Sequence, residues 1–151
     1  MMAAEMPRIH VAVKSLRFEH LEQIIGIENA NFVTPWTIKD FAKTLDEKDV
    51  KGVVAMNGPA IFGFMIMRLG RRLVEIENLA VHAAKVRNGI GSYLVDFARI
   101  QRPRLRLVVS ERNLEALRFF KARGLRATGV LFNHYSDAAS GDAIVMESEQ
   151  T

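Results

Sequence analysis

The chain has 151 residues, of which 49% are hydrophobic and 25% charged, values typical of one globular domain with its own core. It contains no cysteine, which excludes disulfides, thiolate zinc sites and a cysteine nucleophile. The net charge is only +4 and the basic residues are dispersed, so we expect no direct nucleic-acid binding, which would favour a basic stripe with interleaved aromatics.

No apolar run approaches the ~20 residues of a membrane span, and residues 1–8 lack the apolar stretch of a signal peptide. We therefore expect a cytoplasmic protein without a membrane partner. We also expect one domain over residues 8–147, with loose tails at residues 1–7 and 148–151. The four histidines lack the spacing of a metal site, so we propose no metal.

The first half of the chain predicts a strand, two helices and two strands. Residues 9–16 alternate apolar and polar, as in a half-buried strand, and residues 18–29 carry apolar side chains at helical spacing. A capping-box-like start at Thr37 and Asp40 predicts a second helix that ends at Leu45. Strands over residues 51–56 and 61–69 follow, separated by the strong hairpin signal Asn57-Gly58.

The second half predicts four more strands and two more helices. Pro103 must follow the end of a helix, and Gly124 is a natural helix stop. The predicted elements are a strand through residues 75–81, a helix over 91–100, a strand over 105–109, a helix capped by Asn113, and strands over 127–135 and 142–146. The result is one α/β (α+β) domain of order βααβββαβαββ, with a mixed, mostly antiparallel sheet of about seven strands and about four helices.

A strand that leads through Arg87, Asn88 and Gly89 into Gly91 and Ser92 at a helix start could hold phosphate. The free N–H groups and the dipole of a helix N-terminus favour an anion there. A Rossmann fingerprint needs a third glycine where Leu94 stands, and a Walker loop needs Gly-Lys-Ser/Thr, which is absent. On this short motif alone, a simple tight turn remains an equal alternative.

A second motif supports the phosphate reading. The segment Ser110-Glu-Arg-Asn113-Leu-Glu-Ala-Leu-Arg-Phe-Phe120-Lys-Ala-Arg-Gly124-Leu resembles the Asn-x-x-Ala-x-x-Phe-Tyr-x-x-x-Gly-Phe segment of the GNAT N-acetyltransferases. The glycine loop resembles their acyl-CoA pyrophosphate loop. Within that superfamily the chain is most similar to the RimI-type ribosomal-protein-alanine acetyltransferases, through residues 32–37, Glu75, residues 78–81, 133–135 and 141–146.

The resemblance implies acetyl-CoA as co-substrate and names the residues that would hold it. Backbone groups of Leu79, Ala80 and Val81 would meet the pantetheine and the thioester, and a backbone N–H there would stabilise the oxyanion. The remaining cofactor-binding candidates are Arg87, Asn88, Gly89, Gly91 and Ser92 for the pyrophosphate, Asn113 for the pantetheine arm, and Phe120.

The sequence departs from these relatives at three positions. Val86 stands where their loop begins with Arg or Gln, Val108 where RimI-type enzymes carry a glutamate base, and Phe120 where they carry a tyrosine acid. Glu75 matches the glutamate base that histone-acetylating relatives use through water, although it could be a solvent-facing strand residue. We predict Glu75 as the base and Tyr135 as the acid.

The sequence thus predicts an acetyl-CoA-dependent N-acetyltransferase that acts on a protein N-terminal α-amine by direct attack. Two alternatives stay open, a small-molecule amine as acceptor or a non-catalytic acyl-CoA-binding module. We expect a monomer or a homodimer that binds acetyl-CoA and an acceptor peptide or small amine.

Overall fold

A computed structural model describes residues 10–149. Over this range it contains seven strands and four α-helices. The strands are β1 (Ala12–Ser15), β2 (Val50–Asn57), β3 (Ala60–Leu69), β4 (Leu73–Val81), β5 (Arg104–Ser110), β6 (Leu125–Leu131) and β7 (Ala143–Ser148). The helices are α1 (Leu21–Asn31), α2 (Ile38–Leu45), α3 (Ile90–Gln101) and α4 (Leu114–Ala122). This is the predicted order, βααβββαβαββ, so the predicted fold class is confirmed.

The strands form one mixed sheet in the order β1-β2-β3-β4-β5-β7-β6. All neighbouring pairs are antiparallel except β4 and β5, which are parallel. The helix α3 connects those two strands, as a parallel pair requires a crossover rather than a hairpin. In this strand order, the parallel pair β4–β5 lies at the centre of the sheet.

Helices cover both faces of the sheet, and each face has its own apolar core. One core joins α3 and α4 to the sheet through side chains such as Leu94, Val95 and Phe120. The other joins α1 and α2 to the opposite face through Ile24, Phe41 and Phe64. The central strands β3 and β4 contribute side chains to both cores, so their position is fixed from two sides.

Local signals explain where several elements begin. The Thr37 side chain accepts a hydrogen bond from the Asp40 N–H and the Asp40 carboxylate accepts one from the Thr37 N–H, which completes the predicted capping box of α2. The region predicted as one helix from residue 18 begins with a 3₁₀ turn, Phe18–His20, in which His20 Nδ1 accepts from the Arg17 N–H.

Two predicted bounds need correction. The sixth strand ends at Leu131 and does not reach Tyr135, because Asn133 adopts a left-handed conformation with φ 54° and its N–H donates to Asp142. The seventh strand continues to Ser148, which the sequence had assigned to a tail, and the Ser148 hydroxyl accepts from the Leu105 N–H. The tail predicted at residues 1–7 and the end of the other, Gln150 and Thr151, lie outside the described residues.

Candidate active site

The central parallel pair of strands opens into a fork. β4 and β5 pair only from Leu73↔Arg104 to Ile76↔Leu107. Beyond that point β5 pairs with β7 alone, up to Ser110, while β4 continues beside β3 to Val81. Glu77 is an extra residue in β4 opposite the step from Ile66 to Met67, a bulge of the kind that bends a strand away from its neighbour.

Beyond the fork, the open edge of β4 turns backbone groups to the gap that pair with no neighbouring strand. The His82 N–H donates to the Phe62 carbonyl of β3, and backbone groups along an antiparallel pair alternate in direction. Leu79 and Val81 therefore direct their N–H and C=O groups away from β3, towards the open side. Ala80 turns its backbone groups to β3, so of these three predicted residues Leu79 and Val81 present backbone groups to the gap.

The N-terminus of α3 lies at the end of the loop that follows β4. Gly89 is its N-cap residue, with a left-handed φ of 82°, and no side chain caps the helix. The first intrahelical hydrogen bond runs from the Tyr93 N–H to the Gly89 carbonyl, which leaves the N–H groups of Ile90, Gly91 and Ser92 without intrahelical acceptors. An uncapped N-terminus without acidic residues in its first turn can bind an anion.

The loop before α3 is built by short-range contacts. The Asn88 side chain donates to the carbonyls of Lys85 and Val86, and Arg87 adopts a left-handed φ of 65°. The Lys85 ammonium lies over the Phe62 ring, 4.6 Å from its centroid. The loop thus carries two basic residues within a few positions of the free N–H groups of α3, while the Asn88 side chain braces the loop.

Helix packing favours a glycine at position 91, which the sequence alone did not reveal. A Cβ at this position would lie 3.1 Å from Cζ of Phe119 on α4, so the missing side chain lets α3 and α4 approach. Ser92 is buried, with 6% of its surface exposed. Any contact of Ser92 with a pyrophosphate is therefore more readily made by its N–H than by its hydroxyl.

The two candidates near α4 have structural roles of their own. The Asn113 side-chain oxygen accepts from the Ala116 N–H and caps α4, which leaves the amide nitrogen as the part that could reach a pantetheine arm. Phe120 is buried in the α3–α4 core and packs edge-on against Phe119, with ring centroids 5.0 Å apart.

The predicted base, Glu75, lies where β4 and β5 are still paired, before the two strands separate. Glu75 pairs in register with Arg106 of β5, and its carboxylate lies 3.4 Å from the Arg106 guanidinium. Glu75 lies four positions before Leu79, about 13 Å along a strand. A base role for Glu75 would therefore need a water relay and would compete with the ion pair, and it stays a prediction.

The predicted acid lies in a loop that reaches across the fork. Tyr135 is half-buried in the β6–β7 loop (residues 132–142), and burial, helped by the negative charge of Asp137, raises its pKa. The Thr34 hydroxyl of the α1–α2 loop (residues 32–37) donates to the Asp137 carboxylate, with an oxygen–oxygen distance of 2.7 Å. The Asn31 side chain, at the end of α1, donates to the Val81 carbonyl, so the two loops meet on the α1 side of the open strand.

Sequence reasoning missed one residue in this region, Glu28. The sequence places it only within the helix predicted over residues 18–29, yet its carboxylate accepts hydrogen bonds from Asn78 on β4 and from the Trp36 N–H of the α1–α2 loop. An acidic residue on the inward stripe of an amphipathic helix was the signal available, because such a group needs a buried partner.

The model of the acetyltransferase (GNAT) family matches residues 21–125. The chain belongs to this family. It is therefore an acetyl-CoA-dependent N-acetyltransferase, with acetyl-CoA as its co-substrate. No curated protein sequence matches the chain.

Solved structures share the fold at low identity. The ribosomal-protein-S18-alanine N-acetyltransferase from Escherichia coli is 22% identical, with a TM-score of 0.79 over 92% of this chain and 93% of that one. Ard1 from Thermoplasma volcanium is 24% identical, with a TM-score of 0.82 over 95% and 99%. Arabidopsis thaliana Naa50, solved with the bisubstrate analogue CoA-Ac-MVNAL, is 22% identical, with a TM-score of 0.75 over 93% and 99%.

Across residues 10–149, none of the helices is long and apolar enough to cross a bilayer.

Proposed function

We propose that this acetyltransferase acts on the α-amine at a protein N-terminus, and that within its family it is nearest the RimI-type ribosomal-protein-alanine enzymes. The observation that carries the proposal is the contact of the α1–α2 and β6–β7 loops, which meet through Thr34 and Asp137 beside the open strand. Two joined loops would give an extended acceptor a border on both sides. The Naa50 structure, whose ligand links coenzyme A to the peptide MVNAL, supports this reading. A cytoplasmic location stays a prediction.

The amine nitrogen would attack the thioester carbonyl carbon directly in a ternary complex. The amine must be neutral to attack; the carbon–sulfur bond then breaks, the nitrogen loses one further proton as it becomes an amide, and the leaving thiolate takes up one. An α-amine has a pKa of about 7.7–8.0, so a base removes a modestly held proton at neutral pH. A lysine amine near 10.4 would cost roughly 3 kcal/mol more at 1.36 kcal/mol per unit.

The protein groups proposed for this step are few. The Leu79 or Val81 N–H would donate to the developing oxyanion, which is where a fixed donor contributes most. Glu75 would serve as base through water, and Tyr135 as acid towards the thiolate. Because its pKa is raised above the ordinary value of 10.0, Tyr135 keeps its proton throughout the neutral range and remains able to donate it.

On the cofactor side, we propose that Arg87, Asn88, Gly89, Gly91 and Ser92 form the pyrophosphate site. In this arrangement the first-turn N–H groups of α3 would hold the phosphate oxygens, with Arg87 adding charge. Asn113 would reach the pantetheine arm through its amide nitrogen, and Phe120 would form the apolar floor behind it.

Val108 and Phe120 replace the base and acid of the RimI-type relatives with groups that exchange no proton. In this acetyltransferase the proton transfers would therefore fall to Glu75 and Tyr135. Val108 stands at the first β5 position beyond the fork, and Phe120 is buried in the core.

Thiol release from acetyl-CoA tests the proposed acceptor. The protein is incubated with acetyl-CoA and, separately, with a panel of N-terminal peptides and a panel of polyamines. Release above background with peptides alone supports the proposal, whereas release with polyamines alone assigns a small-molecule acceptor. Calorimetric binding of coenzyme A without release for either panel would contradict both acceptor classes.

A further inference from the structure

Glu28 is a buried carboxylate that ties together three elements. Only 1% of its surface is exposed. One of its oxygens accepts from the Asn78 amide nitrogen on β4 at 2.8 Å, and the other accepts from the Trp36 N–H at 2.9 Å. Its own carbonyl accepts from the Phe32 N–H at the end of α1.

Burying the Glu28 carboxylate costs folding free energy. Among residues 10–149 no basic side chain forms an ion pair with Glu28, and burial raises the pKa of its carboxyl group. Leaving water without a cationic partner disfavours a carboxylate. Glu28 shares its helix with Ile24 and Ile27, which lie in the apolar core, so a carboxylate buried at this position needs a reason other than apolar packing.

The two groups that donate to Glu28 belong to the open strand β4 and to the α1–α2 loop. In the proposed function these two parts must be aligned for acetyl transfer. Asn78 directly precedes Leu79, whose backbone faces the gap of the fork. Trp36 belongs to the α1–α2 loop, which meets the loop of Tyr135 through Thr34 and Asp137. Each oxygen of Glu28 thus holds one side, and the carboxylate sets the spacing between the open strand and the acceptor-side loop.

We propose that Glu28 is a positioning residue that sets the α1–α2 loop against β4 and thereby determines how tightly the acceptor is held. This inference rests on the proposed function for its kinetic consequence. Its structural part does not, since the loop is held whether or not the acceptor is a peptide.

Three variants separate positioning from chemistry. Glu28→Met has a similar size but accepts neither hydrogen bond. Glu28→Gln keeps an oxygen for the Trp36 N–H, and its amide nitrogen can donate to the Asn78 oxygen once that side chain turns over. Glu22→Met, at an exposed site on the same helix, is the matched control.

The readouts are the fluorescence of Trp36, the only tryptophan in the chain, and the KM values for peptide and acetyl-CoA. In Glu28→Met we expect red-shifted emission, stronger quenching by acrylamide, and a peptide KM raised about tenfold or more, as for loss of a hydrogen bond to a charged group. The KM for acetyl-CoA should stay unchanged. Glu28→Gln and Glu22→Met should match the parent protein.

Every outcome bears on the proposal. Unchanged fluorescence in a folded Glu28→Met protein would overturn it. So would a Glu28→Gln protein with lost kcat and unaltered Trp36 emission, because Glu28 would then act in the chemistry itself. If Glu28→Met does not fold, Asn78→Ala removes one anchor and should shift both readouts the same way. If the parent protein turns over no amine, the proposed function fails, and the fluorescence still decides whether Glu28 holds the loop.

Discussion

At the scale of single residues, the pKa of Glu28 gives a stability signature. Burial raises this pKa above its ordinary 4.5, and the hydrogen bonds from Trp36 and Asn78 oppose the shift only in part. The native state therefore binds the Glu28 proton more tightly than the unfolded state does. Its contribution to stability is greatest below the unfolded pKa and is lost as the pH rises through the folded pKa.

Glu28→Gln removes this titration, so its effect should depend on pH. We expect the melting temperature of the variant, relative to that of the parent protein, to be higher at pH 7.5 than at pH 4. Thermal unfolding at the two pH values measures it. The exposed Glu22→Gln variant should show no such trend, and a Glu28→Gln difference that falls between pH 4 and pH 7.5 would contradict the sign.

Tyr135 gives a second prediction at this scale. As a general acid it should contribute about 10²-fold or more to kcat, so Tyr135→Phe is expected to lower kcat by that factor. Because its pKa is raised, the factor should be constant from pH 6 to pH 9. Steady-state rates over this range check it, with Phe132→Leu in the same loop as control. An equal kcat for Tyr135→Phe and the parent would remove Tyr135 from the mechanism.

At the scale of elements, Gly26 and Gly91 offer a matched comparison. Gly26 lies inside α1, where an added Cβ would meet no atom within 4 Å beyond the adjacent helix backbone, whereas a Cβ at Gly91 meets the Phe119 ring. Gly26→Ala should stabilise the protein by about 0.5–1 kcal/mol through helix propensity. Gly91→Ala gains less or loses stability, because the Phe119 ring must move.

Chemical denaturation of both alanine variants measures this difference. The added variant Gly91→Ala/Phe119→Leu should recover part of the lost stability, since leucine leaves room for the new methyl group. If both alanine variants were equally stabilised, contact with Phe119 would not be the reason for glycine at this position.

The elements that the sequence predicted well are those with local signals. The capping box at Thr37, the hairpin at Asn57-Gly58 and the stop at Gly124 are each decided by neighbours within a few residues. The end of β6 was misplaced because the apolar run continues through Phe132, while the turn depends on the bond from Asn133 to Asp142 on the far side of the loop.

In the candidate site, too, the features with a local signal could be predicted and those that depend on distant residues could not. The anion-binding start of α3 follows from a short motif and could be predicted. The ion pair of Glu75 with Arg106, the packing of Gly91 on Phe119 and the bond of Glu28 with Asn78 join residues between 28 and 50 positions apart. Strand register and helix packing set these contacts, and single-sequence periodicity carries neither.

At the scale of the whole molecule, β4, which forms one side of the fork, contributes side chains to both cores. The α3–α4 core supports the side that we assign to the phosphates, and the α1–α2 core supports the side that we assign to the acceptor. β4 belongs to both, so a ligand that joins its open end to the N-terminus of α3 should stabilise the fold as one unit.

The proposed binding of phosphates at the N-terminus of α3 can be tested with ligands alone, without any variant. At a hundred times its Kd, coenzyme A should stabilise the protein by ~2.7 kcal/mol, which is a rise in melting temperature of roughly 5–10 °C at this size. Pantetheine, which lacks the phosphates, should give little shift at the same concentration. The coenzyme A shift should also fall with added salt, because part of it is attraction to Lys85 and Arg87. Equal shifts for the two ligands would mean that the N-terminus of α3 does not bind the phosphates.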